Sequence, residues 1–158
     1  VPQYQVGDLA EGGIVFYVDE TGEHGLVAAI EDIGQFEWGC YGTNILGADG
    51  LSIGTGYQNT LDIVAVCSET PIPASEALAY ESEGYSDWYL PSRDELELMY
   101  YSIGNGGPQG NIGGFNNNYW SSSEGNAYFS FRYSFIYGTW SISAKDSGDH
   151  AIRVIRSF

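Results

Sequence analysis

A chain of 158 residues and 17.2 kDa falls in the size range of one compact domain. With 43% hydrophobic residues it can close a core without metal or disulfide staples, which excludes a disordered chain. Five Lys and Arg against 21 Asp and Glu give a formal charge of −16, which repels phosphate backbones and acidic membrane surfaces, so no nucleic-acid partner is expected.

No apolar run approaches the roughly 20 residues of a membrane helix, and the opening has no basic-then-apolar leader pattern, so a soluble fragment without membrane insertion is expected. Whether a leader once preceded it is left open. Only 16% of the residues are charged, whereas Gly (22) and Tyr (13) are abundant, which favours strands and turns over exposed helices. The charge is uneven: residues 1–92 hold 15 of the acids and no Lys or Arg. That half is expected to be a solvated outer face. Clustered carboxylates also suit Ca²⁺, but no EF-hand spacing occurs; no cofactor is expected, and a Ca²⁺ requirement is left open.

In chain order, the β-branched run Gly12 to Asp19, the turn Glu20-Thr21-Gly22-Glu23 and the run His24 to Ile30 predict a hairpin. A Gly-rich, aromatic stretch follows. Leu61, Val64 and Ala65 then fall at helical spacing within residues 57–66, with Thr55 and Gly56 as candidate caps. Residues 73–82 predict a short second helix. Pro91 forces Leu90 toward an extended conformation, and Ser92-Arg93-Asp94-Glu95 is a capping box that starts a third helix with Leu96, Met99, Tyr100 and Ile103 on its buried face.

Residues 104–114 form a Gly-rich connector without the features of a phosphate-binding loop. From Tyr119 onward the chain alternates. Ala127, Phe129, Phe131, Tyr133 and Phe135 point one way, as predicted core, and Tyr128, Ser130, Arg132, Ser134 and Ile136 point the other, as an open face. Trp140, Ile142 and Ala144 repeat the pattern against Thr139, Ser141 and Ser143, and residues 151–155 predict a last strand ending near Phe158.

Several chemistries lack support. Cys40 and Cys67 have no C-x-x-C spacing, which argues against zinc or thioredoxin-like chemistry; a disulfide and two buried thiols both remain open. His24 and His150 have no second His at metal-ligand spacing and are expected at the surface. Asp94, Glu95 and Glu97 resemble an acid–base pair only superficially, because Glu95 is committed to the cap. The serines lack a nucleophile-elbow context, so no catalytic residues and no enzyme are expected. Arg153 and Arg156 lie three apart in an extended segment and face opposite sides; one of them is expected to anchor a carboxylate. Trp88 is expected to fill the core and Asp87 to hold a loop.

The ordered blocks Tyr85-Ser86-Asp87-Trp88-Tyr89-Leu90-Pro91-Ser92-Arg93-Asp94-Glu95-Leu96, Tyr119-Trp120-Ser121-Ser122-Ser123-Glu124, Lys145, and Ile152 to Phe158 resemble one family, and residues 7–16 resemble its usual opening. The set resembles the C-type-lectin-fold domains found at the C-terminus of the Legionella collagen-like adhesin and in the variable proteins of diversity-generating retroelements, which occur in phage tail tips and bacterial surface proteins. The resemblance implies a single α+β domain over residues 1–158, with antiparallel sheets, two or three short helices, adjacent chain ends, and residues 116–158 as the binding, variable region. The segment from Ala127 to Gly138 is longer than in typical members.

Residues of the types that adenine-directed variation produces occupy the predicted open face and turns: Asn126, Tyr128, Ser130, Arg132, Ser134, Ile136, Tyr137, Thr139, Ser141, Ser143, Asp146, Ser147, Asp149 and His150. Trp120, Ala127, Gly138, Trp140 and Lys145 stand between them as scaffold. Tyr gives a large contact with few torsions to freeze, and Ser, Asn and Thr give adaptable hydrogen bonds, as in antibody loops. Arg132 is the one cation of the patch and suits an acidic or aromatic group.

The resemblance implies a receptor-binding protein or adhesin on a virion tail or a cell surface, and by analogy alone a homotrimer, whose target is a protein or glycan on a host or neighbouring cell. Two alternatives differ in class. A formylglycine-generating-type enzyme shares the fold and would need Cys40 or Cys67 at a cleft; a decoration domain would bind another copy of itself.

Overall fold

The predicted hairpin forms. A computed structural model describes residues 3–158, in which β2 (Gly13–Val18) and β3 (Gly25–Ala28) pair antiparallel around the turn at residues 19–24. With β1 (Leu9–Ala10) and β9 (Ile155–Ser157) they complete a four-stranded antiparallel sheet in the order β1-β2-β3-β9. The second sheet contains β4 (Gln35–Phe36), β5 (Asn118–Glu124), β6 (Phe129–Ser134), β7 (Thr139–Ala144) and β8 (His150–Ala151), in the order β4-β8-β5-β6-β7. Its β5–β8 pairing is parallel and the rest antiparallel. With helices α1 (Gly56–Val66), α2 (Pro73–Ala79) and α3 (Arg93–Ile103), the architecture is mixed α+β.

The capping box is present in full. The Ser92 hydroxyl accepts from the Glu95 amide at 3.3 Å, and the Glu95 carboxylate accepts from the Ser92 amide at 2.8 Å and from the Gly54 amide at 3.0 Å. Glu95 is therefore a buried tie between the α3 start and the loop before α1, and its burial pushes its carboxyl pKa up. Leu96, Met99 and Ile103 are fully buried on one side of α3, where they join Phe16, Tyr119, Tyr133 and Phe135 in one core cluster. Trp38, Trp88 and Trp120 belong to a second cluster with Ile63, Ile72 and Val154.

Both arginines of the closing segment are anchors. The Arg153 guanidinium bonds Asp32 at 2.8 Å and the Gly113 carbonyl at 2.7 Å; that of Arg156 bonds Asp87 at 2.6 Å and the Glu11 carbonyl at 2.7 Å. Asp87 thus holds a loop, as expected, and Trp88 fills the core. The last predicted strand splits in two: β8 pairs with β4 and β5 in the second sheet and β9 with β3 in the first, and Arg153 lies in the break between them. The described ends meet, with the Tyr4 and Phe158 rings edge-on at 4.9 Å. Cys40 and Cys67 are joined in a disulfide, which settles the open pair.

Two helix expectations change. α1 buries Asn59, Thr60 and Ile63, whereas Ala65 is exposed. Asn59 bonds the Gly50 carbonyl and Thr60 bonds Leu90, so polar side chains with backbone partners take the inward positions. α2 stops at Ala79 because Tyr80 turns extended and the chain closes a tight turn between Ser82 and Tyr85.

Candidate ligand-binding surface on the C-terminal hairpin

Alternation along β6 and β7 places Phe129, Phe131, Tyr133, Trp140, Ile142 and Ala144 on one face of the hairpin, and Ser130, Arg132, Ser134, Thr139, Ser141 and Ser143 on the other. The first face was expected to be core, but only Tyr133 on it is fully buried. Phe129 is 38% exposed, Trp140 47% and Ile142 48%. The core ends at β6, because α3 packs against β2, β5 and β6 and touches β7 only slightly, so β7 has no buried residue. Phe129 and Trp140 are therefore surface residues rather than core, and Phe131 is half-buried. The Arg93 guanidinium lies 4.7 Å from the Trp140 ring centre and 5.3 Å from that of Phe131, with Asp94 paired to it at 2.9 Å. This aromatic face of the blade was missed because apolar residues in alternation read as core; no sequence signal marks where a sheet outgrows its cover.

The polar face is narrower than predicted. Ser130 is fully buried, because residues 38–45 cross that face. Lys145 ties the segment down: its ammonium, also fully buried, bonds Glu124 at 2.6 Å and the Thr43 carbonyl at 2.9 Å and lies 4.7 Å from the Trp38 ring centre. Glu124 in turn accepts from the Ile45 amide at 2.8 Å, and the Gly42 amide donates to the Ala127 carbonyl. Ser134 is buried too, its hydroxyl accepting from the Tyr137 amide inside the turn. His150 is not at the surface: it packs edge-on against Trp120, its Nε2 lies 3.0 Å from the Ser143 hydroxyl, and burial pushes its pKa down. The Ser130 hydroxyl and His150 Nδ1 are buried without a hydrogen-bond partner.

What stays open on this side is Arg132, Thr139, Ser141 and Ser143, with the Arg132 Nε donating to the Ser143 hydroxyl at 3.1 Å. Asn126 is exposed, but its carbonyl accepts from the Tyr128 and Phe129 amides and shapes the turn. Asp146, Ser147 and Asp149 form the next turn, in which the Ser147 hydroxyl holds the Asp149 carboxyl below the usual range. Tyr128, 49% exposed, packs edge-on at 5.2 Å against Tyr41, a residue that sequence reasoning did not select. The hairpin turn lifts Ile136 and Tyr137 into solvent, Tyr137 at 81% exposure. Gly138 permits this turn: it has φ 74°, and a Cβ there would lie 2.6 Å from the Tyr100 ring.

The structure thus brings Tyr128, Arg132, Ile136, Tyr137, Thr139, Ser141 and Ser143 together on the hairpin and its turns, and withdraws Ser130, Ser134 and His150. Open clefts of about 510 and 350 Å³ lie elsewhere, the first around Phe36, Glu69 and Gly148 and the second around Tyr57, Asp87 and Tyr89. Among the described residues one cluster offers three candidate metal-ligand atoms, Cys40, Cys67 and Glu69, and its two sulfurs are bonded to each other. Set against models of known protein families the chain matches none, and no curated protein matches it either.

Proposed function

We propose that the domain is a C-type-lectin-like scaffold that binds a protein or glycan target through its C-terminal hairpin, as a receptor-binding protein of a phage tail or an adhesin of a bacterial surface. One observation carries this reading: a hairpin rooted on the buried Trp120, Tyr133 and Phe135 holds Tyr128, Ile136, Tyr137, Trp140 and Ile142 in solvent. Large apolar side chains gathered on one exposed hairpin mark an interaction site more often than singly scattered ones do. Preorganised rings lose little conformational entropy on contact, so their apolar area converts efficiently into affinity. A raised blade, rather than a cleft, also suits a macromolecular target better than a small molecule.

The ordered sequence blocks supply the second support, and from them comes the proposal that positions within residues 116–158 are diversified by adenine-directed variation. Trimeric assembly is part of the same proposal and rests on resemblance alone. The test is capture of the immobilised domain on arrays of glycans and surface proteins, followed by Tyr128→Ala and Arg132→Ala. Each variant is expected to weaken the captured interaction about tenfold or more while the melting temperature moves by no more than about 2 °C. Unchanged binding in both variants would refute the hairpin as the contact surface.

A further inference from the structure

The free edge of β7 is the feature that the binding surface does not yet use. The β6–β7 register pairs Ser130 with Ser143, Arg132 with Ser141 and Ser134 with Thr139, and the Lys145 amide donates to the Tyr128 carbonyl. In an antiparallel ladder every second residue spends its amide and carbonyl on the neighbouring strand. Thr139, Ser141, Ser143 and Lys145 therefore bond inward to β6, and the backbone groups of Trp140, Ile142 and Ala144 point off the sheet. Of these, the Ala144 carbonyl accepts from the Ser147 amide, and the Ser141 hydroxyl approaches the Ile142 carbonyl at 3.5 Å. β7 is the last strand of its sheet, and its six residues Thr-Trp-Ser-Ile-Ser-Ala carry no Pro and no charge to discourage pairing, the inward Lys145 that follows being neutralised by Glu124. The residues with outward backbone groups also carry the exposed side chains, Trp140 and Ile142.

We propose that β7 accepts an extended segment of a partner protein as an added strand, which deepens the reading of the hairpin as a binding surface and rests on it. Main-chain bonds at Trp140 and Ile142 supply affinity, and alternate side chains of the incoming strand meet the aromatic face formed by Trp140, Ile142 and Phe131.

Charge selects the partner. Arg93, Lys145, Arg153 and Arg156 each pair with a carboxylate, so among the described residues Arg132 is the one Lys or Arg without one, within a chain of net charge −16. Asp146 is exposed just beyond the C-terminal end of β7. Two copies of −16 each repel as whole molecules, whereas a cationic segment is drawn to the chain and, at the end of β7, to the Asp146 carboxylate. The segment that fits alternates apolar and small polar residues, since its intervening side chains pass Arg132 and Ser141, and carries Lys or Arg where it meets Asp146.

The test uses two acetylated and amidated peptides, Lys-Lys-Thr-Val-Thr-Val-Thr and its counterpart beginning Glu-Glu, with residue-resolved amide exchange on the whole domain. The Lys peptide is expected to slow exchange of the Trp140 and Ile142 amides about tenfold at saturation, leaving the already protected Ser141 and Ser143 amides unchanged, and the Glu peptide to do so far less. Ile142→Pro removes an outward donor without touching the β6 ladder and is expected to weaken the Lys peptide about fivefold or more. No binding, binding without protection of those two amides, or equal effects of the two peptides would overturn the proposal. So would protection that rises with domain concentration in the absence of peptide, which marks a second copy as the occupant. If these fail while a captured target still depends on Tyr128 and Arg132, strand addition falls and the surface stands.

Discussion

Replacing Lys145 by Met tests how residues 38–45, which cover the serine face of the hairpin, are held. The Lys145 ammonium is fully buried, and Met keeps much of its volume while deleting the charge. Glu124, also almost wholly buried, would be left with the Ile45 amide in place of a cation at 2.6 Å. Removing one member of a buried ion pair costs about 3–5 kcal/mol, and the lost bond to the Thr43 carbonyl adds about 1 kcal/mol. Domains of this size are stable by roughly 5–15 kcal/mol and lose about 2–4 °C of melting temperature per kcal/mol, so Lys145→Met should melt about 10 °C or more below the parent. Adding Glu124→Gln removes the orphaned charge while keeping an acceptor for Ile45, and is expected to recover about half of the loss. Urea titrations followed by tryptophan fluorescence at pH 7 measure both. A loss under about 1 kcal/mol in the single variant, or no recovery in the double, would refute the assignment of the buried pair as the anchor of residues 38–45.

Gly138→Ala combines a positive φ with a Cβ placed against the Tyr100 ring, so it should cost about 1–3 kcal/mol by thermal melting, whereas Thr139→Ala next to it should be nearly neutral. His150 has a folded pKa below its ordinary value of 6.5, so the unfolded chain binds the proton first; stability should fall as pH drops from about 6.5 toward that lower value, and His150→Gln should remove this part of the acid dependence. Asp87, held below its ordinary range by the Arg156 hydrogen bond, contributes stability above its unfolded pKa that is lost as pH falls through its folded one; comparing Asp87→Asn with the parent from pH 6 to pH 2 reads that contribution. Reducing the Cys40–Cys67 bridge, which joins positions 27 residues apart, should lower stability by about 3.5 kcal/mol in urea titrations with and without reductant. Sequencing the gene across a population should find substitutions concentrated at adenine-bearing codons of residues 116–158; uniform codons there would remove the diversification proposal.

Elements with local causes were legible in the sequence. The first hairpin, the Ser92 cap and the buried side of α3 each follow from residues within a few positions of one another, where turn chemistry, capping and periodicity act. What failed depended on distant chain. Nothing within α1 indicates that Asn59 and Thr60 face inward, since their partners are backbone groups at Gly50 and Leu90. Alternation correctly divided β6 and β7 into two faces, yet could not say which was covered. The cover on the serine face arrives from residues 38–45, and the cover on the aromatic face runs out at β6. Ser130 and Trp140 accordingly exchange the roles that their polarity assigns them. The splitting of the final strand also depends on distant chain, because β8 takes its partners from β4 and β5 and β9 takes its partner from β3.

The meeting of Tyr4 with Phe158 makes the domain a cassette. A module whose two ends emerge side by side can be spliced into a loop of a larger protein without prising that loop apart, and the host experiences it as a long insertion with a narrow neck. By the same geometry a short tether of a few residues would join the neighbourhoods of Tyr4 and Phe158, and new ends opened in the connector at residues 104–114 would fall outside both sheets.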